Sequence, residues 1–297
     1  MCRLGPPAGM NRRSARGDVL VGSAAVAERL VRAYITGTER EDQPENIHTD
    51  RVAREMGYRG GLVYGTQVYG WAIPLIVDAL GEEWARDGWA DFHVRRPVYG
   101  GDLLRIRLEC GAGGEWSLVA HGEDDRPRIE GKVGRGIGAW VASHHRSVQT
   151  PPVAAPDPRP GIALETAPVG QDLPVLSAPA QDRLSRMLQE ATEHDAAPFT
   201  VGGRHCQSPA ALTGRMTWYV HAIWDYAGPA LHARSQIQYL AVAGIDEPLT
   251  VAGHLAAAYD RNGHHYAETD GIIRGADGRE LALTRHASIF RVAKREG

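Results

Sequence analysis

The stretch from Gln149 to Pro160, QTPPVAAPDPRP, carries five prolines. Proline fixes φ and lacks an N–H, so this run forms neither a helix interior nor a central strand and reads as an extended linker. It divides the 297-residue chain into two parts of roughly 120 to 130 residues, each long enough for a small domain.

Both parts repeat one order of elements. In the first, the apolar spacing of Ala25 to Tyr34 predicts a helix. A polar loop to Asp50 follows, then a short helix from Arg51 to Met56, ended by Gly57. Gly60-Gly-Leu-Val-Tyr-Gly65 leads into an apolar segment, Thr66 to Leu80, interrupted by Pro74. Strand patterns come next at Ala90–Val94, Leu103–Cys110, Trp116–Gly122 and Lys132–Val141. In the second part a helix is expected over Arg183–Thr192. An apolar helix follows at Arg215–Tyr226, then strands at Ser235–Leu240, Leu249–Tyr259, His265–Arg274 and Leu281–Val292. Hairpin turns are read at Arg261-Asn-Gly263 and Ala276-Asp-Gly278. Gly65 falls on Gly214, and Pro97–Asp102 on Ala241–Asp246, displacements of 149 and 144 positions. One helix followed by antiparallel strands, stated twice, is an α+β arrangement. The expected division is a disordered tail over 1–18, a first domain over 19–148, a linker over 149–179 and a second domain over 180–297.

Composition excludes several roles. The net charge is −3, which offers nothing to nucleic acid or an anionic membrane. The longest apolar run, Trp71–Leu80, is about half of the roughly 20 residues needed to cross a bilayer. The Arg-bearing N-terminus lacks the apolar region of a secretory signal. Three scattered cysteines make no disulfide framework or thiolate zinc site, which points to a cytoplasmic location. Only Lys132 and Lys294 are lysines, so basic contacts would fall to arginine.

The stretch Asn46-Ile-His48-Thr-Asp50, then Ala53, Gly57 and Gly60-Gly-Leu-Val-Tyr-Gly65, resembles the MaoC-like (R)-specific enoyl-thioester hydratase/dehydratase family. Arg96-Pro97-Val-Tyr-Gly-Gly-Asp102 resembles the segment that opens a core strand in that family. The resemblance is good over roughly residues 20–145 and weak over 180–295. It implies a hot-dog fold, an antiparallel sheet wrapped around one helix, and for two copies a double hot-dog. It also implies a hydro-lyase that hydrates a 2-enoyl thioester or dehydrates a 3-hydroxyacyl thioester, carried on coenzyme A or an acyl carrier protein. An acid and a histidine hold the water and act as general base and acid. A backbone N–H at the start of the buried helix, from Gly65 or Thr66, stabilises the enolate-like oxygen.

The acid is displaced here. Gln43 stands at the family's acid position, and an amide does not titrate. Glu45 and Asn46 stand at its Asn and Pro positions. Asp42, six residues before His48, restores the dyad if one residue is inserted; Glu45 and Glu41 are the other candidates. The catalytic set implied is Asp42, His48 and Gly65, with Asn46, Tyr64, Thr66 and Gln67 as substrate contacts. Phosphate contacts of a carrier would rest on Arg95, Arg96 or Arg105. Asp50 reads as a helix N-cap and Asp102 as a turn residue.

No metal or redox cofactor is implied. The pairs His144-His145 and His264-His265 point to opposite strand faces and read as ordinary surface residues. Cys206 reads as an incidental buried thiol, and His194-Asp195 does not match the motif spacing. The second part is therefore expected to be a non-catalytic partner that shapes the acyl tunnel. A thioesterase is the second enzyme class considered, although its carboxylate on the central helix is missing between Thr66 and Val77. A non-catalytic or repurposed acyl- or small-molecule-binding protein is the third reading. A monomer and a homodimer are both open.

Overall fold

The computed structural model describes residues 20–23, 26–35, 47–111, 114–180, 182–192, 198–226 and 228–293. The chain runs through β1 (Leu20–Ser23), β2 (Val26–Arg32), α1 (Asp50–Glu55), α2 (Gly65–Leu80), α3 (Trp84–Asp87), β3 (Gly88–Val94), β4 (Leu103–Cys110), β5 (Trp116–His121) and β6 (Pro127–Arg135). A 3-10 turn, Ala139–Ser143, ends the first half. The second half holds β7 (Asp172–Ala178), α4 (Arg183–Thr192), β8 (Thr200–Val201), β9 (Arg204–His205), α5 (Pro209–Ile223), β10 (Leu231–Tyr239), β11 (Leu249–Arg261), β12 (His264–Gly275) and β13 (Glu280–Arg291).

Each half wraps a strongly curved antiparallel sheet about its own long helix, and the two sheets join edge to edge. The strand order is β1-β2-β4-β5-β6-β3-β10-β13-β12-β11-β7. β3 and β10 form the seam, pairing antiparallel from Trp89↔Gln238 to His93↔Arg234. Arg234 grips Asp91 with two hydrogen bonds, 2.8 and 2.6 Å, across that seam. The Gln238 amide donates to Gly88 and Gly136 carbonyls and accepts from the Gly138 N–H. This is the double hot-dog arrangement.

α2 is apolar on almost every face, with Tyr69, Trp71, Ile73 and Ile76 at most 1% exposed. A helix without a polar stripe must be enclosed, and here the sheet covers one side while α4 and α5 cover the other. Gly70 makes the helix contact close: a Cβ there would stand 3.0 Å from the Ala191 Cβ and 3.3 Å from the Ala210 Cβ. The Tyr239 hydroxyl donates to the Pro209 carbonyl and meets the hydroxyls of Tyr69 and Thr213 at 3.0 and 3.2 Å. The helices of both halves thus share one core, and the Tyr69, Thr213 and Tyr239 hydroxyls inside it are paired with one another.

Three expectations change. Where a helix is expected over Ala25–Tyr34, the described residues form strand β2, Val26–Arg32, with alternating burial; its buried Arg29 donates to the Trp71 carbonyl at 2.9 Å. β7 lies inside the segment assigned to the linker. It survives Pro174 because it is the last strand of the sheet, where a missing N–H leaves no ladder bond broken. Finally, α5 begins at Pro209, not Arg215, so Gly214 is a helix-interior residue pressed on Leu188. A single offset of 144 then carries Gly65 onto Pro209, Gly70 onto Gly214 and Asp102 onto Asp246. The isolated bridge Leu62–Tyr99 recurs as Cys206–Gly244.

Candidate active site

A cavity of about 1310 Å³ opens between the two halves. It is lined by His48, Tyr64, Gly65 and Thr66 from the first half and by residues including His232 and His286 from the second.

The loop that carries His48 is fixed locally. The Leu62 N–H donates to the Ile47 carbonyl at 3.2 Å, and the Gly61 N–H donates to the Asp50 carboxylate at 2.9 Å. Gly61 lies so close to the His48 carbonyl that no side chain fits there. Asp50 is therefore a loop clamp rather than the N-cap, which is Thr49. The His48 ring stacks on Tyr64, centroids 3.3 Å apart and tilted by 22°. Its Nδ1 lies 2.5 Å from the Leu62 carbonyl oxygen. A carbonyl only accepts, so Nδ1 carries the hydrogen and Nε2 keeps its lone pair. Burial lowers the pKa to about 4, against the weaker opposing effect of the Leu62 bond. The ring is neutral at pH 7.

Tyr64 is the N-cap of α2 and makes no side-chain cap hydrogen bond. Gln67 and Val68 are the first residues to bond back, both to the Tyr64 carbonyl. The N–H groups of Gly65 and Thr66 precede that ladder and lie at the positive end of the helix dipole. α5 differs: its N-cap Ser208 accepts from the Ala211 N–H. Gly65 is also sterically required. A Cβ would stand 2.6 Å from the Val94 Cγ2 and 2.9 Å from the His232 Nδ1.

The second half brings two histidines that sequence reasoning missed. Ser235 and His286 are register partners on β10 and β13, and a bulge between His232 and Arg234 turns His232 to the same face. The Ser235 hydroxyl lies 2.8 Å from the His232 Nε2 and 3.3 Å from the His286 Nδ1. The two rings are 4.7 Å apart. Burial lowers His232 to about 4 and His286 well below its ordinary value. In an unbroken strand, residues three apart face opposite sides, so only the bulge makes this trio, and the sequence does not signal it.

The other predicted residues divide as follows. Thr66 is buried in the cavity wall. Gln67 points elsewhere: it is fully buried and its amide donates to the Tyr34 carbonyl at 3.1 Å. Asp42 and Asn46, with Glu41, Gln43, Glu45, His194 and Asp195, lie outside the described residues. Arg95 and Arg96 line the cavity, whereas Arg105 pairs with Asp125 at 2.5 Å. Asp102 accepts from the Tyr99 N–H at 3.0 Å and pairs with Arg59, fixing its turn as expected. The Cys206 thiol is buried and raised in pKa by that burial, so it is a poor nucleophile. By the offset of 144, the counterpart of His48 is Thr192, the last residue of α4. It spends its hydroxyl on the Leu188 carbonyl.

No protein-family model matches the sequence, and no curated protein does. Solved structures do match the fold. The conserved hypothetical protein RV0216 from Mycobacterium tuberculosis, described as having a double hotdog fold, superposes with a TM-score of 0.59. Identity is 13%, over 83% of this chain and 87% of that one. A putative MaoC domain protein dehydratase from Chloroflexus aurantiacus J-10-fl gives a TM-score of 0.52 at 10% identity, over 82% of this chain and 86% of that one. Among the described residues, no helix is long and apolar enough to cross a membrane.

Proposed function

We propose that the protein is a hydro-lyase acting on 2-enoyl or 3-hydroxyacyl thioesters of coenzyme A or an acyl carrier protein. One observation carries this reading: a neutral histidine with a fixed tautomer stands beside an uncapped, glycine-initiated helix N-terminus inside a large cavity.

In the dehydration direction, the thioester carbonyl accepts from the N–H of Gly65 or Thr66. The His48 Nε2 removes the C2 proton, and the electron pair moves into the carbonyl as an enolate. Held at the start of the helix, the N–H groups would meet that oxygen with little reorganisation opposing the charge. The enolate then reforms the carbonyl, makes the C2–C3 double bond and expels the 3-hydroxyl. A proton from His48 or its acidic partner lets it leave as water. Hydration runs the same steps backward. Asp42 is the partner assigned, with Glu45 as its substitute; either carboxylate would share the water and stabilise the imidazolium. Gln43 could orient that water but not take its proton.

The second half supplies the opposite wall rather than a second copy of the site. Its α5 N-terminus is capped by Ser208. A volume near 1310 Å³ exceeds the roughly 300–1,000 Å³ of ordinary small-molecule pockets, which suits an acyl chain together with a pantetheine arm. Arg95 and Arg96, exposed side chains of the cavity lining, are assigned to that arm's phosphate.

The test is turnover of crotonyl-CoA and longer 2-enoyl-CoA substrates, followed as loss of enoyl absorbance. Wild type is expected to turn over at least one chain length, and His48→Ala to lose about 10²-fold or more, the usual contribution of a general acid–base. Absence of turnover with every enoyl thioester overturns the reading. Release of free thiol instead identifies a thioesterase, and saturable binding without either product identifies a binding protein.

A further inference from the structure

Outside the cavity lining, at the outer edge of the second half, three side chains from separate segments converge. Asp172 begins β7 and His254 is its register partner on β11. His145 follows the 3-10 turn that ends the first half. The His145 Nε2 and His254 Nδ1 lie 3.0 and 2.9 Å from the same Asp172 oxygen, Oδ1. The imidazole rings stack with centroids 3.7 Å apart, and the three candidate donor atoms lie within 4.8 Å of one another.

We propose that His145, Asp172 and His254 form a site for a divalent transition-metal ion of the zinc type. The donor set decides the class. Two imidazoles and one carboxylate suit Zn²⁺ and its neighbours, whereas Ca²⁺ and Mg²⁺ require oxygen ligands. The spacing fits as well. Donors about 2.0–2.1 Å from a tetrahedral zinc stand about 3.3 Å apart, so the imidazole nitrogens need to part from Asp172 by only a few tenths of an ångström, while the stacked rings turn out of their present 22° alignment to aim both in-plane lone pairs at one ion.

The carboxylate is aimed. Its second oxygen, Oδ2, accepts from the Val148 N–H at 3.1 Å, which leaves Oδ1 for the ion. The His145 backbone N–H is held in turn by Asp270 at 2.8 Å, and Asp270 by Arg285 at 2.6 and 2.9 Å. Such outer contacts orient metal ligands. His254 is 11% exposed, Asp172 35% and His145 47%. One side is therefore open to an incoming ion and to a water as fourth ligand. The tandem His144-His145 pair does not share the ion. The His144 Nε2 lies 3.1 Å from the Thr284 carbonyl oxygen, and only His145 turns to the edge. A bound ion would fasten the start of the inter-half linker to the sheet edge.

The test uses the full chain, stripped with EDTA and dialysed. Titration with ZnSO₄ by calorimetry and with CoCl₂ by visible absorption is expected to show one saturable site per chain, with the d–d bands of a site of low coordination. Saturating zinc should raise Tm, because an ion bound only to the native state stabilises it by mass action. His145→Gln, at the most exposed ligand, should weaken binding at least tenfold with an unchanged circular dichroism spectrum. Asp172→Asn and His254→Gln should abolish it. Absence of one-to-one binding in wild type would leave a hydrogen-bonded His–Asp–His triad and overturn the proposal. Equal binding by wild type and all three variants would place the ion elsewhere and overturn it too.

Discussion

His48 lies face to face with Tyr64, ring centroids 3.3 Å apart, so the residue that immediately precedes α2 also seats the proposed base. Removing the ring should loosen His48 without touching its chemistry. Tyr64→Ala is expected to lower kcat/KM for an enoyl thioester by about tenfold, the scale of an aromatic pair worth roughly 0.5–1.5 kcal/mol. Tyr64→Phe should stay near wild type. Steady-state kinetics of both variants check this, and equal losses in the two would mean that the hydroxyl, not the stack, matters.

Gly65 stands tightly against Val94 of its own half and His232 of the other. In Gly65→Ala the new methyl meets Val94 and His232 at 2.6 and 2.9 Å. The expected cost is about 1–3 kcal/mol of stability, the range for overpacking, together with loss of turnover as the helix end is pushed from the substrate. Urea denaturation and the enoyl assay read the two effects separately.

The buried histidines make the protein acid-sensitive. His48 and His232 are lowered to about 4 and His286 well below its ordinary value, chiefly by burial, while the unfolded chain titrates near 6.5. The unfolded state therefore binds more protons below that value. Stability is expected to be level above about pH 6.5 and to fall as the pH drops from 6.5 toward 4. The upper bound on the slope is about 1.4 kcal/mol per pH unit for each fully buried group. His286, 2% exposed, approaches that bound, and the partly exposed His48 and His232 stay below it. Urea midpoints across this pH range measure the slope, and His286→Gln should flatten it.

Asp182 performs two tasks. Its Oδ1 accepts from the Ser185 N–H at 2.7 Å, at the start of α4. Its Oδ2 takes the Arg215 guanidinium at 2.9 Å, and the Arg215 side chain is 1% exposed. Asp182→Ala leaves that charge buried and is expected to cost about 3–5 kcal/mol. Arg215→Met should cost less, because Asp182 keeps its backbone partner and some solvent. Thermal or chemical denaturation ranks the two, and the reverse order would contradict this account.

Much of the architecture was legible because it rests on backbone periodicity. Thr66–Leu80 is apolar on nearly every face, and only a central helix of this length accommodates that. The strands Leu103–Cys110 and Leu249–Arg261 show through their composition and flanking turns, and Asn262 and Gly263 take the positive φ that the hairpin requires. β2 was misread for a specific reason. Its inward face is Ala27, Arg29 and Val31 while Val26 and Leu30 lie on the other, so the apolar residues do not alternate. Arg29 is buried with its guanidinium on the Trp71 carbonyl, 42 residues away, and no sequence window contains both.

The site was legible to the extent that it is local. His48, Tyr64, Gly65 and Thr66 sit within one loop–helix segment, and the structure brings them to one cavity. Gln67 follows directly, but the helical turn of 100° per residue carries it into the core. His232, Ser235 and His286 depend on a bulge and on a strand pairing across about fifty residues, which residue spacing does not encode. The same holds for His145, Asp172 and His254.

The continuous seam between β3 and β10 settles a question of symmetry. A pair of identical single hot-dog chains would carry every feature twice, including two open helix ends and two histidine loops. Fusing the copies releases them from that obligation. Here one copy keeps an open helix end and the other closes its own with a serine, so the two halves drift apart under different constraints. The proposed base and the wall facing it become separately mutable, and substitutions in the cavity wall on β10 or β13 leave the loop that holds His48 untouched.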